Sequence, residues 1–557
     1  MGNNVNENKI NDNNVNNNNV NTSKNDSSRK VLKGAAIIGV SGVIVKILGA
    51  CFRIPLTNWI GADGMSYYGY AYQIYGTLVI LATAGIPVAI SRLVAENISR
   101  KQYRNAHRVF QTSLIIMTVL GAVLFSICFF FAGPITRTLG NPGAFSAVRA
   151  VAPALFFVSV LSTFRGYFQG RQNMNPTAIS EIVEQLVRVI VGLSLAYSLL
   201  DTSLEKTAAG AAFGATAGSI AALVIIVVIF FMNIKVIRLK ISRGLDNVES
   251  YGDIAKKIAA ISIPIIIGSM IMPIMNLTDT IIVMRRLQST GFSYEESRHL
   301  YGLISGYCST LIGLPQIFTQ AVAISLVPAI SSARAVDDAD RVRVNTSLGY
   351  RLTMIMAFPC ALGIFALAKP ILLLLYRSRP GEAAEAAPTL MIMAIGVIGL
   401  AISQTSTGVL QAIGKQTLPV YHLLFGMVAK VVLTYILVGI NSLNIKGAAI
   451  STLVAYAISF ILNNISVRKY TGIKFDYVKI YAKPGIASVV MCVLVMLAYK
   501  LFSGFAGNTV STLISIFVGI VVYFLMIIIL KAVTPEELDS FSIGRKINKI
   551  FRRFYRN

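Results

Sequence analysis

Residues 166–192 read GYFQGRQNMNPTAISEIVEQLVRVIVG, and residues 408–439 read GVLQAIGKQTLPVYHLLFGMVAKVVLTYILVG. Each stretch closes one apolar segment on a Gly, a Gln and a Pro, and the next apolar segment then buries a base. The series is Gly166, Gln169, Pro176, Arg188 in the first copy and Gly408, Gln411, Pro419, Lys430 in the second. A cation at the centre of a bilayer costs roughly 2.5 to 3.5 kcal/mol on insertion scales, so a base placed there twice points to a duplicated functional helix. The chain reads as a two-lobed transporter with a cationic interior.

Outward from these stretches the whole chain is apolar. Of its 557 residues 55% are hydrophobic, and mean hydropathy is +0.67, above the roughly 45 to 50% apolar content of soluble domains. Segments long enough to cross a core of about 30 Å as helices lie near 31–56, 67–90, 107–132, 146–169, 177–200, 207–233, 254–284, 300–328, 348–373, 388–413, 419–440, 446–466, 483–502 and 510–531. They are numbered here as spans 1 to 14. The fold class is therefore an all-α polytopic membrane protein with two parallel six-helix lobes, 31–233 and 254–466, and two further helices within 483–531.

The net charge of +26 is distributed as short patches between apolar runs. A nucleic-acid-binding domain would gather its bases on one polar face, so no nucleic-acid partner is expected. The links SRLVAENISRKQYRNAHR, NIKVIRLKISRG, SSARAVDDADRVRV and VRKYTGIKFDYVK follow spans 2, 6, 8 and 12, whereas SGFAGNT after span 13 has no base. The positive-inside rule then puts links after even-numbered spans, and both termini, in the cytoplasm. The basic tail 532–557 anchors topology and can meet anionic lipid. Arg285, Arg286 and Arg298 fall in a link that the rule places outside, so they face a cavity or a boundary there is shifted. Residues 1–30, Asn-rich and without a hydrophobic period, read as a disordered cytoplasmic tail. The five cysteines stand singly in apolar segments, as buried thiols.

A second repeat supports the duplication, since PVAIS at 87–91 ends span 2 and AVAIS at 321–325 lies in span 8. Six spans separate the copies, and an even number preserves topology, so the lobes are parallel repeats with a site between them.

The intramembrane charges are the candidate site. Lys46 and Arg53 lie about two turns apart on span 1, and so on one face. On span 5, Glu181, Glu184 and Arg188 form a stripe at i, i+3 and i+7. Arg165 on span 4 is expected at the depth of Glu181 and to pair with it, while Arg149 sits near the outer end. The bases outnumber the acids, so an anionic ligand would supply the missing charge. The alternatives are snorkelling for the span 1 bases and a purely structural ion-pair network for the rest. In the second lobe Asp279 and Lys430 are the clear charges, for ion pairing or coupling; Asp279 would either neutralise a first-lobe base or take part in ion coupling, and His422 reads as a hydrogen-bonded helix residue.

No phosphate-binding loop, metal-binding helix motif or hydrolase triad occurs. No cofactor is expected, and the driving force would be an ion gradient or the membrane potential.

The duplicated Gly-x-x-Gln with its downstream Pro, the run LPQIFTQAVAISLVPAIS at 314–331 and the opening 41–96 resemble the polysaccharide-transporter branch of the multidrug/oligosaccharidyl-lipid/polysaccharide exporter superfamily. In character the chain is most similar to its stage V sporulation protein B and Gram-positive lipid II flippase group. The resemblance implies V-shaped lobes that flip undecaprenyl-diphosphate-linked oligosaccharide by alternating access, with lipid II and peptidoglycan synthesis foremost. It also implies a groove for the lipid tail at spans 13 and 14, and cell-wall synthesis machinery as a candidate partner. Lys46 matches the first diphosphate-binding base of the family's helix 1, Arg53 approximately the second, and Arg285 loosely a helix 7 base. The family's helix 2 arginine has no counterpart before Arg92. A cation-coupled multidrug exporter of the same superfamily is the alternative, and a polytopic glycosyltransferase or polymerase a more distant one.

Overall fold

The computed structural model describes residues 37–242 and 248–532, so the expectations for the Asn-rich and the basic tails lie outside the described residues. Within them twelve helices are long and apolar enough to cross a membrane. The first, Ile37–Ser99, has 63 residues and contains spans 1 and 2. A helix rises 1.5 Å per residue, so that length crosses twice only if it turns. The turn is at Gly61, whose φ of 62° is the one break in helical geometry before Thr83. Span 5, Asn175–Ser198, carries Glu181, Glu184 and Arg188 and is too charged to count by apolarity, yet it packs between spans 1 and 6. With that turn and that helix the crossings number fourteen. Span 7 runs to Ser289 in the helix Tyr251–Ser289, longer than the sequence pattern indicated, which carries Arg285 and Arg286 on the end of a helix instead of in a link.

The two repeat signals turn out to be the two sides of one contact. A Cβ on Gly166 would stand 2.9 Å from the Pro87 carbonyl oxygen, and one on Gly408 would stand 3.1 Å from that of Ala323. The Gly-x-x-Gln motif of spans 4 and 10 therefore packs on the P/A-V-A-I-S motif of spans 2 and 8, once per lobe. Glycine allows the backbones this approach, as small residues do between membrane helices generally.

Span 6, Leu204–Met232, makes the close approach that positions the site. Gly214 and Gly218 face span 5, where added Cβ atoms would stand 2.7 Å from the Arg188 carbonyl and 2.4 Å from that of Glu184. Their i, i+4 spacing puts both on one face, and the charged stripe of span 5 is pressed forward from behind.

Hydrogen bonds joining the lobes are unevenly placed. Apart from Lys46 to Gln320 and Gln73 and Thr77 to the Pro273 carbonyl, those among the described residues gather where the links after odd-numbered spans lie, from Asn58 to Tyr70 and from Thr138 to Gly143. The structure is closed at that end.

Candidate anion site in the first lobe

Three helices build the site. Span 5 places Glu184 and Arg188 one turn apart, and Arg188 Nη2 donates to Glu184 Oε1 at 3.1 Å. Span 4 brings Arg165, whose Nη2 donates to Glu184 Oε2 at 3.0 Å and whose Nε donates to Ser180 Oγ at 2.9 Å. One carboxylate thus bridges two guanidinium groups. The expected Arg165 partner is corrected: it is Glu184, while Glu181 accepts from Ser41 Oγ of span 1 at 2.9 Å. The reason is geometric, because the i+3 step from Glu181 to Glu184 turns the second carboxylate toward span 4 and the first toward span 1.

Span 2 supplies a part that the charge pattern did not reveal. Tyr72 OH accepts from Arg188 Nη1 at 3.2 Å, and its ring centroid lies 5.9 Å from Arg188 Cζ and 5.8 Å from Arg53 Cζ. The ring lies within 6 Å of both cations, and its negative face attracts each of them. Tyr68 stacks on Tyr72 with centroids 5.6 Å apart, and Phe52 and Tyr75 flank the pair. The signal was present in YYGYAYQIY at 67–75, where Tyr68, Tyr72 and Tyr75 follow helical spacing.

Arg188 also donates to Gln185 Oε1 at 3.2 Å, while its buried Nε has no partner. A buried guanidinium N–H left unpaired is costly, and a ligand oxygen is one way to satisfy it. Lys46, further along span 1, donates from Nζ to Gln320 Oε1 of span 8 at 2.6 Å and so reaches the other lobe. Lys46, Arg53, Arg165 and Arg188 face only Glu181 and Glu184, which leaves a net charge of +2 from these six groups. Phosphate oxygens suit such forks and point charges.

Arg149 lies near the outer end of span 4 and away from the cluster, its Cζ 4.3 Å from the Phe129 ring centroid. Two sequence expectations are displaced. Arg285 is exposed, and its guanidinium donates to the Thr138 carbonyl at the odd-link end, far along the helix from the cluster. Arg286 and Arg298 are likewise held locally, by the Tyr435 carbonyl and by Asp63. Asp279 neutralises no base of the first lobe, because it pairs with Lys430.

That pair accounts for the difference between the lobes. Lys430 occupies the repeat position of Arg188 and its side chain is 2% exposed, with Asp279 of span 7 as its partner. Beside it Thr434 and Ser451 hydroxyls are 2.6 Å apart. His422 is hydrogen-bonded as expected, Nδ1 to Asn463 Oδ1 at 2.7 Å. The duplicated base is therefore neutralised in the second lobe and part of a positive cluster in the first. Among the described residues no three His, Cys, Asp or Glu side chains converge as metal ligands.

Fourteen crossings, two parallel six-helix lobes and a charged face inside one of them define a multidrug/oligosaccharidyl-lipid/polysaccharide exporter of the polysaccharide-transporter group. The chain belongs to the polysaccharide biosynthesis protein family, which matches residues 31–334, and the MatE family matches residues 304–436. Three proteins of Bacillus subtilis are similar along most of their length. They are the uncharacterized membrane protein YabM, 28% identical over 95% of this chain and 98% of that protein, stage V sporulation protein B, 27% identical over 93% and 98%, and lipid II flippase MurJ, 24% identical over 87% and 90%. Among solved structures, lipid II flippase MurJ in an inward closed conformation superposes with a TM-score of 0.67 at 16% identity, covering 87% of this chain and 97% of that one.

Proposed function

We propose that this protein is a flippase for undecaprenyl-diphosphate-linked oligosaccharide, with lipid II the foremost candidate, in the cytoplasmic membrane of a bacterium, both termini facing the cytoplasm. The observation that carries the proposal is the Arg53, Tyr72 and Arg188 group, with Lys46 and Arg165 beside it: a positive patch inside the membrane span with an unsatisfied N–H. A diphosphate would take these donors, and the polyprenyl tail would remain in lipid, along the helices of spans 13 and 14. The names of the relatives, a lipid II flippase and a sporulation protein, support this substrate class and a role in peptidoglycan synthesis or sporulation. Transport would proceed by alternating access of the two lobes, driven by an ion gradient or by the membrane potential, with the cell-wall synthesis machinery as partner. A multidrug exporter of the same superfamily that favours cationic ligands would meet repulsion at this face.

The test is binding to the full-length protein in nanodiscs. An undecaprenyl-diphosphate glycan is expected to bind, and Lys46→Ala and Arg188→Ala to weaken it and to abolish complementation of a flippase-depleted strain at normal membrane abundance. Binding of cationic dyes with no affinity for polyprenyl diphosphates would overturn the proposal.

A further inference from the structure

The closed end of the molecule is built unlike an ordinary helix contact. Span 2 restarts at Ala62 after the Gly61 break, so its first N–H groups have no partner within the helix. The Ala62 N–H donates instead to Glu382 Oε2 at 2.5 Å, and Glu382 lies in the first turn of the helix Pro380–Ala412 that contains span 10, in the other lobe. A carboxylate at a helix N-terminus is also favoured by the helix dipole. Glu382 is itself held by Tyr307 OH at 2.8 Å and by Arg379 Nη1 at 3.5 Å, while Arg379 Nη2 donates to the Trp59 carbonyl at 3.2 Å. Asn58 adds two bonds, from Nδ2 to the Leu375 carbonyl at 2.8 Å and to Oδ1 from the Ser378 N–H at 3.2 Å.

Beside this cap lies a charged cluster. Asp63 Oδ1 accepts from Arg298 Nε at 2.9 Å, and Arg298 Nη1 donates to Tyr67 OH at 2.6 Å. His299 stands between two carboxylates, with Nδ1 3.9 Å from Asp63 Oδ2 and Nε2 3.1 Å from Glu385 Oε2. The Asp63 contacts with Arg298 and His299 are the only ion pairs that join the two lobes among the described residues, while the His299 to Glu385 contact lies within the second lobe. The continuous helical stretch Tyr294–Ala335 has 42 residues, about twice what a bilayer needs, so the turn bearing Arg298 and His299 stands clear of the apolar core, as does the link bearing Asp63.

We propose that Glu382 and the Asp63, Arg298, His299 and Glu385 cluster form a titratable latch that holds this end of the transporter shut and must be released in each cycle. The latch rests on the alternating-access reading for its purpose only, and its test needs no substrate. Asp63 of the first lobe and Glu385 face His299 directly; Arg298 bonds to Asp63 and Tyr67, Tyr307 and Arg379 hold Glu382 on the Glu385 helix, and Tyr294, Glu295 and Glu296 share the His299 helix. Arg285 and Arg286, ending span 7, point to the Thr138 and Tyr435 carbonyls.

The His299 pKa is raised to about 9, with Asp63 the largest cause, partial burial opposing it and Glu385 adding to it. Asp63 is lowered: burial alone would raise it, but His299 and Arg298 more than offset that. A raised folded pKa means that the contribution to closure is complete below the ordinary histidine value of about 6.5 and is lost as pH rises through about 9. On the acid side Asp63 keeps its charge to below the usual carboxylate range. Loss of the His299 proton should therefore favour opening by at least tenfold, and by up to about 300-fold if the whole shift belongs to the closed state; solvent screening brings the value below that limit.

The experiment is a spin-label distance measurement on the full-length protein in nanodiscs, with its native cysteines replaced and labels at Asp201→Cys and Ser442→Cys. Both positions are exposed in links at the latch end, one in each lobe. A single short distance is expected at pH 7, and a longer population at least tenfold larger at pH 10. His299→Gln should show at pH 7 what the parent shows at pH 10, His299→Arg should remain closed at pH 10, and Glu382→Gln should open at pH 7. Identical distributions for the parent at both pH values and for His299→Gln would overturn the latch. So would opening of His299→Arg at pH 10, which would assign the effect to other groups. Failure of diphosphate binding would affect the substrate assignment and leave this result untouched.

Discussion

Glu184 is where a structural network and a ligand site give opposite expectations. Its carboxylate bridges Arg165 at 3.0 Å and Arg188 at 3.1 Å, with all three side chains only 11 to 14% exposed. Breaking a buried ion pair costs about 3 to 5 kcal/mol. Glu184→Gln keeps an acceptor for one guanidinium, so the low end, about 3 kcal/mol, applies. In the same change the site gains a positive charge, and two forks become available to an anion. If a diphosphate recovers one charge-assisted bond, worth about 1.5 kcal/mol at least, its affinity rises about tenfold. At a ligand concentration ten times the parent Kd, binding then stabilises the parent by about 1.4 kcal/mol and the variant by about 2.7 kcal/mol. The assay is thermal unfolding of the full-length protein in nanodiscs with farnesyl diphosphate, and with farnesol as the uncharged control. The expected result is a lower melting temperature for Glu184→Gln and a larger upward shift on adding the diphosphate than the parent shows. Equal shifts in both proteins, or a shift with farnesol of the same size, would refute the assignment of the cluster to an anion.

Three other outcomes follow from the same geometry. Arg188→Lys keeps the charge but loses the fork shared among Tyr72, Gln185 and Glu184, so diphosphate affinity should fall about tenfold or more in an equilibrium binding titration. Lys430→Met leaves the partly buried Asp279 unpaired and should cost about 3 kcal/mol, the low end for a buried pair, whereas the double change Lys430→Met with Asp279→Asn should cost clearly less; a double-mutant cycle on unfolding measures the coupling. Gly218→Ala places a methyl group 2.4 Å from the Glu184 carbonyl oxygen and should destabilise by about 1 to 3 kcal/mol while lowering diphosphate affinity, because it displaces the stripe that carries Arg188.

The crossings, the parallel lobes and the list of intramembrane charges were legible in the sequence because each depends on local quantities: runs of apolar residues, the sign of the links and a motif that recurs. The bilayer makes those quantities decisive, since a charge inside it is costly wherever the chain places it. Partners were another matter. The sequence paired Arg165 with Glu181 by depth, yet the step around span 5 sends Glu181 to Ser41 and Glu184 to Arg165. It offered Arg285 as a site base, though its guanidinium is held at the odd-link end by a carbonyl. The Tyr68, Tyr72 and Tyr75 row went unused because tyrosines on an apolar helix fit lipid interfaces and cores equally well.

By itself, then, the sequence determined that this protein is a duplicated membrane bundle with unbalanced positive charge inside its first half. Only the tertiary structure decided how the buried base is compensated in each half. Arg188 and Lys430 hold the same place in the repeat, but span 7 brings a carboxylate to Lys430 while spans 1 and 2 bring Arg53 and Tyr72 toward Arg188. Charge compensation depends on distance in space, and a repeat in sequence does not carry its neighbours with it. The same holds for the latch, where the N-terminus of span 2 finds its carboxylate 320 residues away.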